Sequence, residues 1–170
     1  MLSFDTVHAI TDHLYLADDA HTGDSLAAAV VLLLHEHTDP ARSRRLVRAV
    51  EYPLPAGDAD RVMTEQLLRF ARQLTAATTE RAPAVETGVR LLACAVRYGD
   101  IDLDADTPRA VQRIDAVDTD GRLYRLVRHC RATAPTLLID DTAVPHDVPA
   151  THPALLDILA AGTKCEAQSS

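Results

Sequence analysis

Leu26-Ala27-Ala28-Ala29-Val30-Val31-Leu32-Leu33-Leu34 is a run of nine apolar residues with no polar interruption, and its reading decides the fold. Asp24 and Ser25 stand before it, and His35-Glu36-His37-Thr38-Asp39 closes it. An element that is apolar on every side needs neighbours on every side. The run is far short of the ~20 residues that cross a bilayer. Three alanines, with Asp24 or Ser25 offering an N-cap oxygen, predict the buried central helix of a soluble core. A buried strand is the competing reading, because a short continuous apolar run has no period that separates the two.

On the C-terminal side, Asp39-Pro40 reads as a capping side chain followed by proline at the first helical position. It predicts a helix to about Tyr52 that buries Leu46, Val47 and Val50. That helix would carry Arg42, Arg44, Arg45 and Arg48, with no acidic residue between Pro40 and Val50. Cations in a first turn oppose the helix dipole, at up to ~1 kcal/mol each. The cluster therefore asks for intramolecular carboxylates, the favoured reading in an acidic chain, or for an external anion. After the break at Pro53 to Gly57, Asp58 caps a helix running to about Thr78. Its Met63, Leu67, Phe70 and Leu74 alternate spacings of four and three, a narrow packing seam. Val85, Val89, Leu92 and Val96 repeat the spacing after Pro83 and predict another helix, with Gly99 as its C-cap. Gly88 inside it would mark a close helix approach. On the N-terminal side, Ser3 can cap a helix bearing Phe4, Val7, Ile10 and Leu14, although His13 to Leu16 reads equally as a short strand.

Beyond Gly99 the character changes. Ile114 to Val117 and Arg122 to His129, joined by Asp118-Thr119-Asp120-Gly121, predict a β-hairpin turning at Asp-Gly. Thr136 to Ile139 extends it into a meander, while residues 108–113 also fit a short helix. Thr151 caps a last helix that Gly162 ends. The fold class expected is α+β: an N-terminal helical bundle of four or five helices over about 1–99, then a small antiparallel meander and a closing helix over about 100–162. Residues 1–163 would form one globular domain, followed by a frayed tail at 164–170.

Composition limits the function. A formal charge of −8 over 170 residues argues against a general polyanion binder. Cys94, Cys130 and Cys165 are widely spaced, form no C-x-x-C pair, and suit a reducing cytosol. No secretory signal is visible, so the expected location is cytoplasmic.

Four patterns bear on chemistry. Asp100, Asp102, Asp104 and Asp106 outline a calcium loop. The match fails at Ala105, where the turn needs glycine, and at Val111, where a bidentate glutamate is needed, so a solvated edge strand is favoured. His35 and His37 form an H-x-H, but positions i and i+2 of a helix point about 200° apart. The helix dipole accounts for both without a metal. Arg109, Arg113, Arg122, Arg125, Arg128 and Arg131 make a net positive segment. If 108–115 were helical, three helices and a hairpin would outline a winged-helix DNA reader, with Arg122, Arg125 and Arg128 along phosphates. A plain sheet whose arginines pair with aspartates is favoured over it. Cys130 is a weak candidate for a reactive thiol. No hydrolase, nucleotide or metalloprotease motif occurs.

These readings nominate no catalytic residue, no metal and no cofactor. The expected function is a non-enzymatic cytoplasmic adaptor or regulator acting through protein–protein contacts, with another protein or a second copy as partner. A homodimer would use the two seams. A winged-helix DNA-binding regulator is the alternative, with nucleic acid the less favoured partner, and a metal-dependent or small-molecule enzyme comes third. No membrane association is expected.

Overall fold

A computed structural model describes residues 1–20, 28–39, 44–55, 63–80, 89–102, 107–129, 132, 134–141 and 148–167. In chain order the elements are α1 (Phe4–Asp19), β1 (Val30–Asp39), β2 (Arg44–Pro53), α2 (Met63–Glu80), β3 (Val89–Asp102), β4 (Arg109–Asp118), β5 (Leu123–His129), β6 (Thr136–Asp140) and α3 (His152–Ala167). The strands form one six-stranded antiparallel sheet in the order β2-β1-β3-β4-β5-β6.

Val30 to Leu34 of the apolar run form strand, not helix; Ala28 and Ala29 precede it, and Leu26 and Ala27 lie outside the described residues. Alternate residues of β1 reach opposite cores. Val30, Leu32 and Leu34 join Ile10, Leu14 and Ala17 of α1 on one face of the sheet. Val31 and Leu33 join Leu67 and Ala71 of α2 and Ala154, Leu155 and Ile158 of α3 on the other. A strand covered on both faces has no polar side to show, so its sequence loses the alternation that marks a half-buried strand. Packing overrides the helical preference of alanine for the same reason. Ala93, Ala95 and Ala116 all lie in the core on the α1 side.

The helical bundle expected over residues 1–99 is therefore not formed. A single N-terminal helix precedes the strands, and the described residues hold three helices in all. The helix expected from Pro40 to Tyr52 is β2, and the one expected from Val85 to Val96 is β3. Val89, Leu92 and Val96 share helical spacing by coincidence; Leu92 and Val96 lie in a stretch buried from Leu91 to Arg97, and Val89 stands just before it. Gly99 belongs to β3 and caps nothing, while Val85 and Gly88 lie outside the described residues. The seam of α2 forms as a helix face, with Leu67 fully buried and Met63, Phe70 and Leu74 packed beside it within the molecule.

Several local signals hold. Ser3 Oγ accepts the Thr6 amide at 3.2 Å and caps α1. The hairpin turns at Asp118 to Gly121, with Gly121 at a φ of 82° that favours glycine. The meander continues through β6. Gly162 does not end α3 but sits inside it, where a Cβ would come within 2.5 Å of Leu91 Cδ2, so glycine admits the sheet side chain there. No helix among the described residues is long and apolar enough to cross a membrane.

Candidate functional site

β2 is an edge strand with β1 on one side and no strand on the other among the described residues. At ten residues it is long for an edge, since strands average about 5–6. The register with β1 sets Tyr52 beside Val31, Val50 beside Leu33 and Leu46 beside His37. These three β2 residues share the α2–α3 side of the sheet and stay exposed, at 38%, 41% and 39%. The arginines that a helix would have set against its own dipole alternate along this strand instead. Arg45 and Glu51 share the α1 side, and Arg48 lies on the other, level with His35. Arg45 and Arg48 are exposed, Arg44 begins the strand, and Arg42 lies outside the described residues. Arg45 comes within 3.9 Å of the buried Glu36 carboxylate, which Arg90 holds at 3.2 Å from the opposite neighbouring strand.

Beside the edge, an open groove of about 620 Å³ runs between β2 and α2. Tyr52, Leu54, Leu68 and Phe70 line it, with Glu65 and Arg69. The Tyr52 and Phe70 ring centroids are 5.5 Å apart and inclined at 56°, a tilted aromatic pair that ties α2 to the strand.

The hairpin arginines are engaged by carboxylates. Arg122 contacts Asp118 at 2.9 Å and Asp141 at 2.6 Å, and these acids, Asp141 foremost, hold its charged form even against burial. Arg125 meets Asp140 at 2.7 Å. Arg128 donates from Nε to Asp18 at 2.6 Å and from Nη2 to Asp19 at 2.5 Å, and so grips the end of α1. The residues a recognition helix would need are strand β4, flanked by β3 and β5 in the sheet interior, so the winged-helix outline is absent.

A buried polar cluster was not legible beforehand. Asp115 on β4 is 3% exposed, and its Oδ2 accepts the Tyr98 hydroxyl and the Thr151 hydroxyl, each at 2.7 Å. Burial pushes the Asp115 carboxyl above its ordinary pKa, while the two hydroxyls, Arg113 and Arg125 pull the other way. Burial, and then the Asp115 charge, pushes the Tyr98 phenol well up. Thr151 accepts the first backbone bond of α3 from Leu155, so the cluster clamps the start of α3 to β3 and β4. Only the charged residue within Ile114-Asp115-Ala116-Val117 hinted at it, and in a chain with nineteen aspartates that hint carries little.

The remaining candidates stay apart. Asp100 and Asp102 lie on the part of β3 that extends past β1 and pairs with β4 alone, a local edge. They contact Arg113 at 2.8 Å and His129 at 3.8 Å, while Asp104 and Asp106 lie outside the described residues. His35 and His37, now on a strand, do share a face, and burial lowers the His35 pKa with His37 adding to it. Among the described residues no three His, Cys, Asp or Glu side chains converge as a metal site would require. Cys94 is buried, donates to the Leu155 carbonyl at 3.0 Å, and has its thiol pKa raised by burial, which makes it inert. Cys130 lies outside the described residues. Comparison with family models, with curated proteins and with solved structures gives no match to this chain.

Proposed function

We propose that the protein is a non-enzymatic cytoplasmic adaptor or regulator that works by protein–protein contact through the β2 edge and the groove beside it. One observation carries the reading: a ten-residue edge strand bears Leu46, Val50 and Tyr52 exposed along one side, with Arg48 between the first two, next to a groove of mixed apolar and polar lining. Edges are commonly shortened, covered or charged to prevent unwanted pairing. This one is long, and its Arg45 and Arg48 restrict pairing to a partner with matching charge. Exposed apolar side chains set among charged ones on an open strand edge are the ordinary mark of a contact surface. The cytoplasmic assignment rests on the cysteine pattern and the sequestered Cys94 thiol.

Site-specific photocrosslinking tests the reading. A benzophenone amino acid replacing Val50 should yield a defined adduct in cells, and one replacing Phe4, exposed on α1, should not. The captured protein, once purified, should bind the wild type and not Val50→Asp. Equal adducts at both positions, or undiminished binding by the variant, would remove β2 as the contact surface.

A further inference from the structure

The sequence of β2 suits its own reverse. In an antiparallel pair, residues opposite one another share a face, and a two-fold axis perpendicular to a sheet preserves both faces. Placing that axis at Arg48 sets Arg45 opposite the partner's Glu51, Leu46 opposite the partner's Val50, and Val47 opposite the partner's Ala49. Symmetry makes each pairing twice. We propose that the occupant of the β2 edge is a second copy of this chain, paired in this register so that the two six-stranded sheets become one continuous sheet. The proposal rests on the reading of β2 as the contact surface and names its partner.

The register is specific. With the axis at Ala49, Arg45 would face the partner's Pro53 and Glu51 the partner's Val47. With the axis at Val47, Leu46 would face the partner's Arg48. Only the register centred on Arg48 matches acid to base on the α1 side while also matching the exposed Leu46 and Val50 on the other. Arg45 is 69% exposed and holds Glu36 loosely, at 3.9 Å, so its guanidinium can turn toward a neighbouring strand. The cost falls at the axis, where Arg48 meets its own copy on an exposed face. One like-charge pair opposes two opposite-charge pairs and two apolar pairs of comparable individual strength. On the α2 side of the joined sheet, Leu46, Val50 and Tyr52 of the two copies would flank the central Arg48 pair.

Equilibrium ultracentrifugation of the full chain, with circular dichroism as a check on folding, tests the proposal. The wild type should dimerise. Arg45→Glu sets acid against acid and Glu51→Arg sets base against base, so each alone should weaken the dimer by at least about tenfold. An equimolar mixture of the two variants should recover wild-type affinity, because each acid of one chain then faces a base of the other. Arg48→Ala should tighten the dimer. Glu51 lies in the field of the buried Arg97, so Glu51→Arg can disturb the fold. In that event Arg45→Glu alone decides, read together with concentration-dependent hydrogen-exchange protection confined to β2. A monomer at every concentration, or a dimer indifferent to Arg45→Glu, overturns the proposal. If the chain is monomeric while Val50 still captures a different protein, the self-pairing fails and the interaction reading survives. A monomer that captures nothing removes both.

Discussion

Asp115 occupies a position on β4 whose neighbours in sequence are apolar, and both hydroxyls that reach it come from other elements, β3 and the start of α3. Because burial raises its folded pKa above the unfolded value, the native state holds the proton more tightly than the unfolded chain. The associated stability is full below the unfolded carboxylate value, near ~4, and is lost as pH rises through the raised folded value. Asp120 acts in the opposite sense, since the Leu2 amide lowers its pKa and its contribution is lost as pH falls. Comparison with Asp115→Asn separates the two, because asparagine removes the Asp115 titration and keeps an oxygen to accept both hydroxyls. Urea midpoints measured between about pH 4 and pH 7 should show the wild type losing ground to the variant as pH rises. Parallel profiles would show that Asp115 has no raised pKa. None of this was legible in the sequence, because a long-range clamp leaves no trace in local spacing.

Among the elements, those with local chemistry were legible and those defined by burial were not. Ser3 marks the start of α1, Asp-Gly marks the hairpin, and the four-three spacing marks α2, because capping, turn geometry and a one-sided helix each leave a short-range pattern. β1 and β3 leave none, being apolar on both faces. Asp39-Pro40 misled because the same residues begin turns between strands as readily as they begin helices. The edge character of β2 was hidden with it, and so were the exposed stripe and the alternation of Arg45, Arg48 and Glu51. The placement of α1 likewise depends on contacts distant in sequence. The buried Arg97 donates from Nη1 to the Ala17 carbonyl at 2.8 Å, near the negative end of the helix dipole, and Arg128 pairs with Asp18, which is wholly buried. Removing Arg128 leaves the buried Asp18 with the field of Arg97 and without its direct partner. Arg128→Met should therefore cost about 3 kcal/mol of stability, and adding Asp18→Asn should recover part of it. A single variant that melts like the wild type would show that α1 is held by its apolar face alone.

At the scale of the whole molecule, charge decides between contact with protein and contact with nucleic acid. A duplex binder gains affinity by neutralising phosphates and releasing counterions, which takes cations that are not already neutralised. Arg122, Arg125 and Arg128 meet Asp118 and Asp141, Asp140, and Asp18 and Asp19, so a phosphate would have to displace a carboxylate already in place. Among the β2 side chains that are described, the exposed cations Arg45 and Arg48 lie on opposite faces of the sheet, which no single phosphate backbone follows. The net charge of −8 adds a long-range field that repels DNA before contact. The expected result is no duplex binding in fluorescence anisotropy even at low salt, where electrostatic attraction is least screened. Tight binding with a steep salt slope, flattened by Arg125→Ala and Arg128→Ala, would return those arginines to the role of phosphate contacts. The same field bears on self-pairing, since two copies each of charge −8 repel one another at long range, and Arg48 meeting its own copy adds to that repulsion. Salt screens both terms, and the Arg45–Glu51 pairs lie at contact distance while the net charges are spread over the molecule. Moderate salt should therefore strengthen the dimer before high salt weakens it.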